Sequence, residues 1–322
     1  MLVIFALVVK RISRQASNLL LGVQIPPRAH MHTGGILFAI AALLSWGFGD
    51  FFIQRTVRAV GDFKALLFIG VVGIVGLFPF IYQELPELFQ NPLHLLLLVT
   101  TGVIIFFAAL FDFEALKQGK IAIIEPVLGI ELPVVVALSI IFWGEQLSLP
   151  QLLLAFTTFV GIVLAATTRE VRESTAIKVM EKGVILAGVG SIVMGLVNFL
   201  VGVSSQETSP LMAIWFTNGV FTILCIAYLW IRGRFTGILS DITRHYKLIL
   251  AESILDNAAW IFFALSTSLI PIAIATTISE SYIALTVFLG VFINKEKLEW
   301  YQYIGIAVTI FSVITLSAIT SQ

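Results

Sequence analysis

Six acidic residues lie inside long apolar blocks of the chain: Asp50, Glu125, Glu131, Glu252, Asp256 and Glu280. An ionisable side chain at the centre of a bilayer costs roughly 2.5–3.5 kcal/mol on insertion scales. Facing lipid, the six together would cost about 15–20 kcal/mol, more than the roughly 5–15 kcal/mol by which folded proteins are stable. They must therefore face the inside of a helix bundle or a wet cavity, or be protonated. No Lys or Arg lies deep in the same blocks to neutralise them. Acids in that position can bind and release protons or attract a cation.

Each acid has a plainer explanation beside the chemical one. Asp50 ends the run Trp46-Gly47-Phe48-Gly49-Asp50, whose glycines let another backbone approach closely. It either faces a cavity or bonds to Arg55 near a helix end. Glu125 precedes Pro126, which frees a carbonyl and kinks a helix; Glu131 and Pro133 follow. A broken helix lining a cavity is a known way of forming a site, but one acid could be hydrogen-bonded in the interior and the other lie at a helix start. Glu252 and Asp256 are spaced i, i+4 and share a helix face, followed by Asn257 and Trp260. That polarity is either a specificity surface or a seam against another helix. Glu280 lies in Ser279-Glu280-Ser281-Tyr282, read as the middle of a helix. With Asn198 and Tyr282 these residues make up the candidate set for substrate or proton binding. Glu145 and Glu296 lie at block ends and read as loop or cap contacts. Gly70, Gly73 and Gly76 read as a close-packing face. The four histidines have no metal-ligand spacing, and no Ser/His, Cys/His or His-Glu-x-x-His arrangement is present. The chain therefore reads as a non-enzyme with no cofactor and no metal.

The elements that hold these residues are membrane spans. Of the 322 residues 59% are hydrophobic and 12% charged, with mean hydropathy +1.03; soluble domains have about 45–50% and about 25%. Ten apolar blocks can be read, at roughly 34–54, 63–83, 93–116, 120–142, 149–168, 182–203, 209–231, 246–268, 271–293 and 299–319. Blocks of about 20 residues match a hydrocarbon core of roughly 30 Å. The fold class is an all-α integral membrane protein of ten transmembrane helices. Zero net charge gives no sign of nucleic acid, and Cys225, the single cysteine, allows no intrachain disulfide. The first thirty residues differ from the rest. Met1–Val9 is too short to span, Lys10, Arg11 and Arg14 follow it in the wrong order for a signal peptide, and Ser17–His30 has Pro26-Pro27 and no period. Residues 1–30 read as an over-extended gene start ahead of Met31, or else as a disordered or interfacial arm; either way they are expected to be dispensable.

The two halves resemble each other. With Gly35 set on Gly183, Ala39 meets Ala187, Gly47 meets Gly195, Asp50 meets Asn198 and Phe51 meets Phe199. Ala115-Leu116 meets Ala264-Leu265; after a two-residue shift Glu145 meets Glu296 and Gln151 meets Gln302. If that shift falls after them, Glu131 and Glu280 are mates. Glu252 and Asp256 instead meet Val103 and Phe107, so their polarity belongs to one half. The expected organisation is a first repeat over 31–168, a cytoplasmic connector over 169–181 and a second repeat over 182–322. Five helices per repeat insert the second copy upside down, and inverted repeats place their site near the midplane at their interface. Loop charge agrees with this count. Arg55, Arg58, Lys117, Arg169, Arg232 and Lys295, among others, follow the odd-numbered blocks, and the loops after the even-numbered ones hold no Lys or Arg. Basic loops stay in the cytoplasm, which puts Met31 and Gln322 outside it.

Taken in order, Ser45-Trp46-Gly47, the Ala-Leu pair closing blocks three and eight, Pro133 leading to Gly144-Glu145-Gln146-Leu147, then Gln151 and Gly161 resemble the EamA-like members of the drug/metabolite transporter superfamily. Lys295-Glu296-Lys297-Leu298, Gln302 and Gly305 repeat the pattern more loosely in the second half. The resemblance covers nearly all of 34–319 and implies a carrier of amino acids, nucleotides, sugars or drugs. That family is commonly drawn with both termini inside, whereas the loop charges here put them outside. The leading expectation is a proton-coupled carrier of a small organic solute in the cell membrane. A close rival is a carrier whose acids bind a cationic substrate directly. A lipid-modifying intramembrane enzyme would need a nucleophile–base pair or clustered metal ligands, and a channel would more often be an oligomer than a duplicated chain. The expected partners are a small-molecule substrate and the lipid bilayer, for a monomer or homodimer. A C-terminal reporter that is active only in the cytoplasm is expected to stay silent in cells; a strong signal would overturn the orientation.

Overall fold

The computed structural model describes residues 28–118, 127–167, 182–293 and 298–321. Its first half contains α1 (Arg28–Val60), α2 (Asp62–Ile81), the short α3 (Leu85–Gln90), α4 (Pro92–Gln118), α5 (Glu131–Trp143) and α6 (Leu149–Ala166). The second contains α7 (Lys182–Glu207), α8 (Pro210–Ile231), α9 (Ile238–Leu269), α10 (Ile272–Ser279), α11 (Tyr282–Ile293) and α12 (Trp300–Thr320). Counting α10 and α11 as one interrupted span, nine described stretches are long and apolar enough to cross a membrane, and α5 is a shorter apolar helix in the remaining place. Ten transmembrane helices in two five-helix repeats follow.

Three departures from the sequence reading have local causes. The first helix begins near Arg28 and runs on to Val60, beyond its apolar block, because nothing between Asp50 and Val60 breaks it. Helix α9 begins at Ile238, eight residues ahead of its block, and bends at His245, where the backbone leaves helical geometry (φ −122°, ψ 17°). The ninth span is not continuous: it breaks at Glu280–Ser281, so Glu280 lies at a helix end rather than mid-helix. No Gly or Pro marks that break. The Thr276 carbonyl keeps its ladder bond from Glu280 N–H (2.8 Å) and also accepts from the Ser279 hydroxyl (3.2 Å), while the Ser281 hydroxyl donates to the Ile278 carbonyl at 2.6 Å, a local side-chain partner at the break.

The two repeats are inverted, as direct contacts between mates show. Helices α2 and α8 pack against each other running in opposite directions. Phe63 stacks on Tyr228 with centroids 3.6 Å apart, Gly70 lies against Phe221 and Thr222, and Trp215 donates to the Ile74 carbonyl at 3.1 Å. Helices α6 and α12 do the same: Gln151 reaches Thr320 (3.5 Å), Thr158 donates to Ser312 (3.0 Å) and Gln302 to the Ala165 carbonyl (3.0 Å). The other large contacts cross the repeats in matching fashion, α1 on α9 and α4 on α7.

Local chemistry explains the motif residues shared by the halves. Ser148 and Gln151 form a capping box at the start of α6, and Glu299 and Gln302 form its counterpart on α12. Gly144 closes α5 in the left-handed region (φ 68°), where a side chain would be strained, and the Glu145 N–H returns to the Ser139 carbonyl at 3.1 Å. That turn sends the Glu145 carboxylate to the start of α10, where it accepts from Ile272 N–H (2.6 Å) and Ala273 N–H (3.0 Å). Glu145 thus makes the expected cap contact; Glu296 and the connector 169–181 lie outside the described residues. Gly70 and Gly73 pack on α8 as expected, whereas Gly76 faces open space.

The α6–α12 crossing is backbone on backbone. A Cβ at Gly305 would lie 2.7 Å from the Gly161 carbonyl and 2.8 Å from Ala165 Cα, and neither can move aside cheaply. Gly305→Val is expected to cost about 1–3 kcal/mol or more, read as a lower melting temperature of the purified protein in detergent. Gly76→Ala, placed in open space, is expected to leave melting unchanged.

Candidate functional site

The interrupted fourth and ninth spans meet at the centre of the bundle. On one side the chain turns at Gly129–Ile130 and Glu131 opens α5; on the other Glu280 closes α10. Between them stands Asn198 of α7, 1% exposed. Its Nδ2 donates to Glu131 Oε2 (3.2 Å) and to Glu280 Oε1 (3.1 Å), so one carboxamide bridges an acid from each repeat. Gly195, one turn earlier, makes the approach possible: a Cβ there would meet Val134 at 2.7 Å and the Glu131 carbonyl at 3.1 Å. Glu131 and Glu280 are both buried.

The bridge forms one wall of a cavity of about 100 Å³, counted as space for the centres of water-sized molecules. That is room for several waters, since one needs roughly 10–15 Å³ by the same measure. The cavity lies among the halves of α1, α2 and α4 nearer the basic loops, where Ile53, Leu66, Ile69 and Leu116 line it. Asp50, Asp256, Trp260 and Tyr282 complete the expected lining. The Tyr282 hydroxyl is a hydrogen-bonding partner of Asp50, and the Trp260 indole N–H of Asp256. Among the described residues Asp50 makes no ion pair with Arg55.

Two candidates stand elsewhere. Glu252 is fully buried near Thr56 of α1, does not line the cavity, and neither of its carboxyl oxygens makes a hydrogen bond of good geometry. Asn257 accepts from Asn218 (2.8 Å) and donates to the carbonyls of Ile69 (2.9 Å) and Ser253 (2.8 Å). It ties α9 to α2 and α8 in a space that Gly73 keeps open. Glu125 lies outside the described residues.

Asp112 was not among the expected residues, yet it is buried and lines the cavity, with room made for it by Gly190 of α7. Its position inside the third apolar block was the available signal. The nearby Glu114 and Lys117 disguise it as helix-end charge, and those two pair with each other instead (3.2 Å). Thr217 and Asn218 of α8 also line the cavity; single polar residues in an apolar block gave no pattern to read.

The opposite end of the bundle is closed by polar ties. Trp143 donates to Gln206 (2.8 Å), Gln206 to the Thr267 carbonyl (2.7 Å), and Ser266 to the Gly35 carbonyl (2.8 Å). The Glu145 cap on α10 lies on the same side.

Two inverted five-helix repeats meeting at interrupted spans form the architecture of secondary carriers. The EamA-like transporter family matches residues 33–167 and again 181–318. The chain belongs to that family, within the drug/metabolite transporter superfamily, and is a multi-pass membrane transporter of small solutes. It is similar to an uncharacterised protein of Methanocaldococcus jannaschii, at 26% identity over 129 residues covering 40% of this chain and 93% of that one. It is also similar to an uncharacterised transporter of Archaeoglobus fulgidus, at 25% identity over 143 residues covering 44% of this chain and 51% of that protein's length. A protein crystal structure superposes with TM-score 0.68 at 14% identity, covering 89% of this chain and 97% of the other, which shows the fold alone.

Asn198→Leu removes both donors of the bridge. Leaving buried acceptors without their donor costs about 1–3 kcal/mol, so this variant is expected to melt several degrees lower in detergent. Unchanged melting would mean that the bridge adds nothing to stability.

Proposed function

We propose that the protein is a proton-coupled carrier that moves a small organic solute across the cell membrane by alternating access around the central cavity. The Asn198 bridge between Glu131 and Glu280 is the observation that supports this most directly. Two carboxyl groups from opposite repeats share one donor, so the charge state of one bears on the other. A rocking motion of one repeat against the other would change their separation and couple proton release to solute movement. The uneven closure of the bundle supports the same reading. The ties at Gln206, Ser266 and Glu145 bind the face away from the basic loops. On the basic face, Gln54 and Arg58 donate to the Leu116 carbonyl (3.2 and 3.3 Å), and Lys64 pairs with Asp241. By loop charge the basic face is cytoplasmic, and this arrangement is then a cavity nearer the inside with the outer face tied shut.

Purified protein in sealed vesicles, given a panel of metabolites with and without a pH gradient, tests the reading. Uptake or efflux of at least one solute is expected to follow the gradient. Glu131→Gln and Glu280→Gln keep shape and most hydrogen bonding but remove the charge. At least one is expected to lose gradient-driven transport or to flatten its pH profile. Normal transport with an unchanged pH profile in both variants would overturn the coupling role.

A further inference from the structure

The cavity's chemistry is one-sided. Asp50, Asp112, Glu131, Asp256 and Glu280 border it, and no Lys, Arg or His does so among the described residues. Three of these acids keep a buried oxygen with no hydrogen-bond partner among the described residues: Asp50 Oδ2, Asp112 Oδ1 and Glu280 Oε2. Their side chains belong to residues only 8%, 7% and 2% exposed, so bulk solvent does not serve them. Most of the polar donors nearby are engaged. Asn198 serves Glu131 and Glu280, Asn218 serves Asn257, and the Thr217 hydroxyl donates to the Ala213 carbonyl at 2.8 Å. An anionic solute would meet carboxyl groups with no cation among the described residues to receive it.

The remaining wall is aromatic and aliphatic. Trp46 meets Trp260 edge to face with centroids 5.2 Å apart and lies 6.0 Å from the Tyr282 ring. Ring faces attract cations, most strongly where water is excluded. Ile53, Leu66, Ile69 and Ile105 offer an apolar surface beside them.

We propose that the cavity takes an organic cation, a protonated primary amine with an apolar arm. Its N–H groups meet the unpartnered oxygens of Asp50, Asp112 and Glu280, the rings of Trp46, Trp260 and Tyr282 surround its charge, and the arm lies along the aliphatic wall. This substrate class rests on the carrier reading given above.

The test is a ligand series on the unmodified full chain in nanodiscs, read by tryptophan fluorescence and by calorimetry. The probes are 2-phenylethylammonium, the neutral 2-phenylethanol and the anionic 3-phenylpropionate. The cation is expected to bind saturably, and the other two about tenfold more weakly or worse. Trp260→Leu is expected to weaken the cation about tenfold and Gly76→Ala not at all. Equal or tighter binding of the alcohol or the anion overturns the proposal, as does the absence of saturable cation binding. The vesicle panel separates the two readings. A pH gradient that drives a neutral or anionic solute overturns the cation proposal and leaves the carrier reading in place. Saturable cation binding by a chain that moves no solute supports the proposal and overturns the carrier reading.

Discussion

Buried carboxyl groups in an apolar bundle constrain everything else in this molecule. They cannot face lipid at about 2.5–3.5 kcal/mol each, so they are turned inward, and all those described but Glu252 are given partners or a shared space. The Asn198 carboxamide meets that demand for two of them at once. Its two N–H groups reach Glu131 and Glu280 only because the fourth and ninth spans are interrupted beside those acids and Gly195 lets the fourth span approach α7. Spans broken at the centre free backbone groups that no lipid can satisfy. The Ser281 hydroxyl on the Ile278 carbonyl and the protein packed around the break take up that role. Site and fold are thus solutions to one problem.

Inversion follows from the same economy of parts. Five helices per repeat turn the second copy over, and the mates α2/α8 and α6/α12 then meet as antiparallel neighbours. Each sequence feature shared by the halves is used twice, once from each side. Gln151 and Gln302 both close a capping box and both reach across to the partner helix, and Gly161 and Gly305 face each other at the crossing. The position of Asp50 and Asn198 is where the copies part. One keeps a carboxyl on the cavity wall and the other has an amide that joins two acids.

Much of this was legible in the sequence because membrane insertion writes strong patterns. Long apolar blocks, alternating loop charge and the spacing of polar coincidences carry helix number and inversion. The Glu131–Glu280 proximity followed from the repeat alignment. Side-chain direction was harder. Glu252 and Asp256 share a helix face by spacing, yet the first packs near Thr56 and only the second lines the cavity. Asn257 looked like part of the same polar surface and instead ties three helices together. Asp112 was hidden by its charged neighbours. The Glu280 break carries no Gly or Pro, and serine within an apolar run does not by itself announce a break.

The asymmetry between the repeats has a physical meaning beyond specificity. A perfectly symmetric inverted pair would close both faces by equivalent contacts and have no preferred state. Here the face away from the basic loops is tied by Trp143, Gln206, Ser266 and the Glu145 cap on α10. On the basic face the described residues contribute Gln54 and Arg58 reaching one carbonyl, the Lys64–Asp241 pair and the Lys117–Asp62 pair. Those basic-face side chains are long and partly exposed, and such contacts contribute little, typically about 0–1 kcal/mol for an ion pair. The buried Ser266–Gly35 bond and the Glu145 carboxylate at a helix N-terminus contribute more per contact. In the proposed carrier, a solute or proton that opens the face away from the basic loops must offset the loss of the Gln206 and Glu145 contacts.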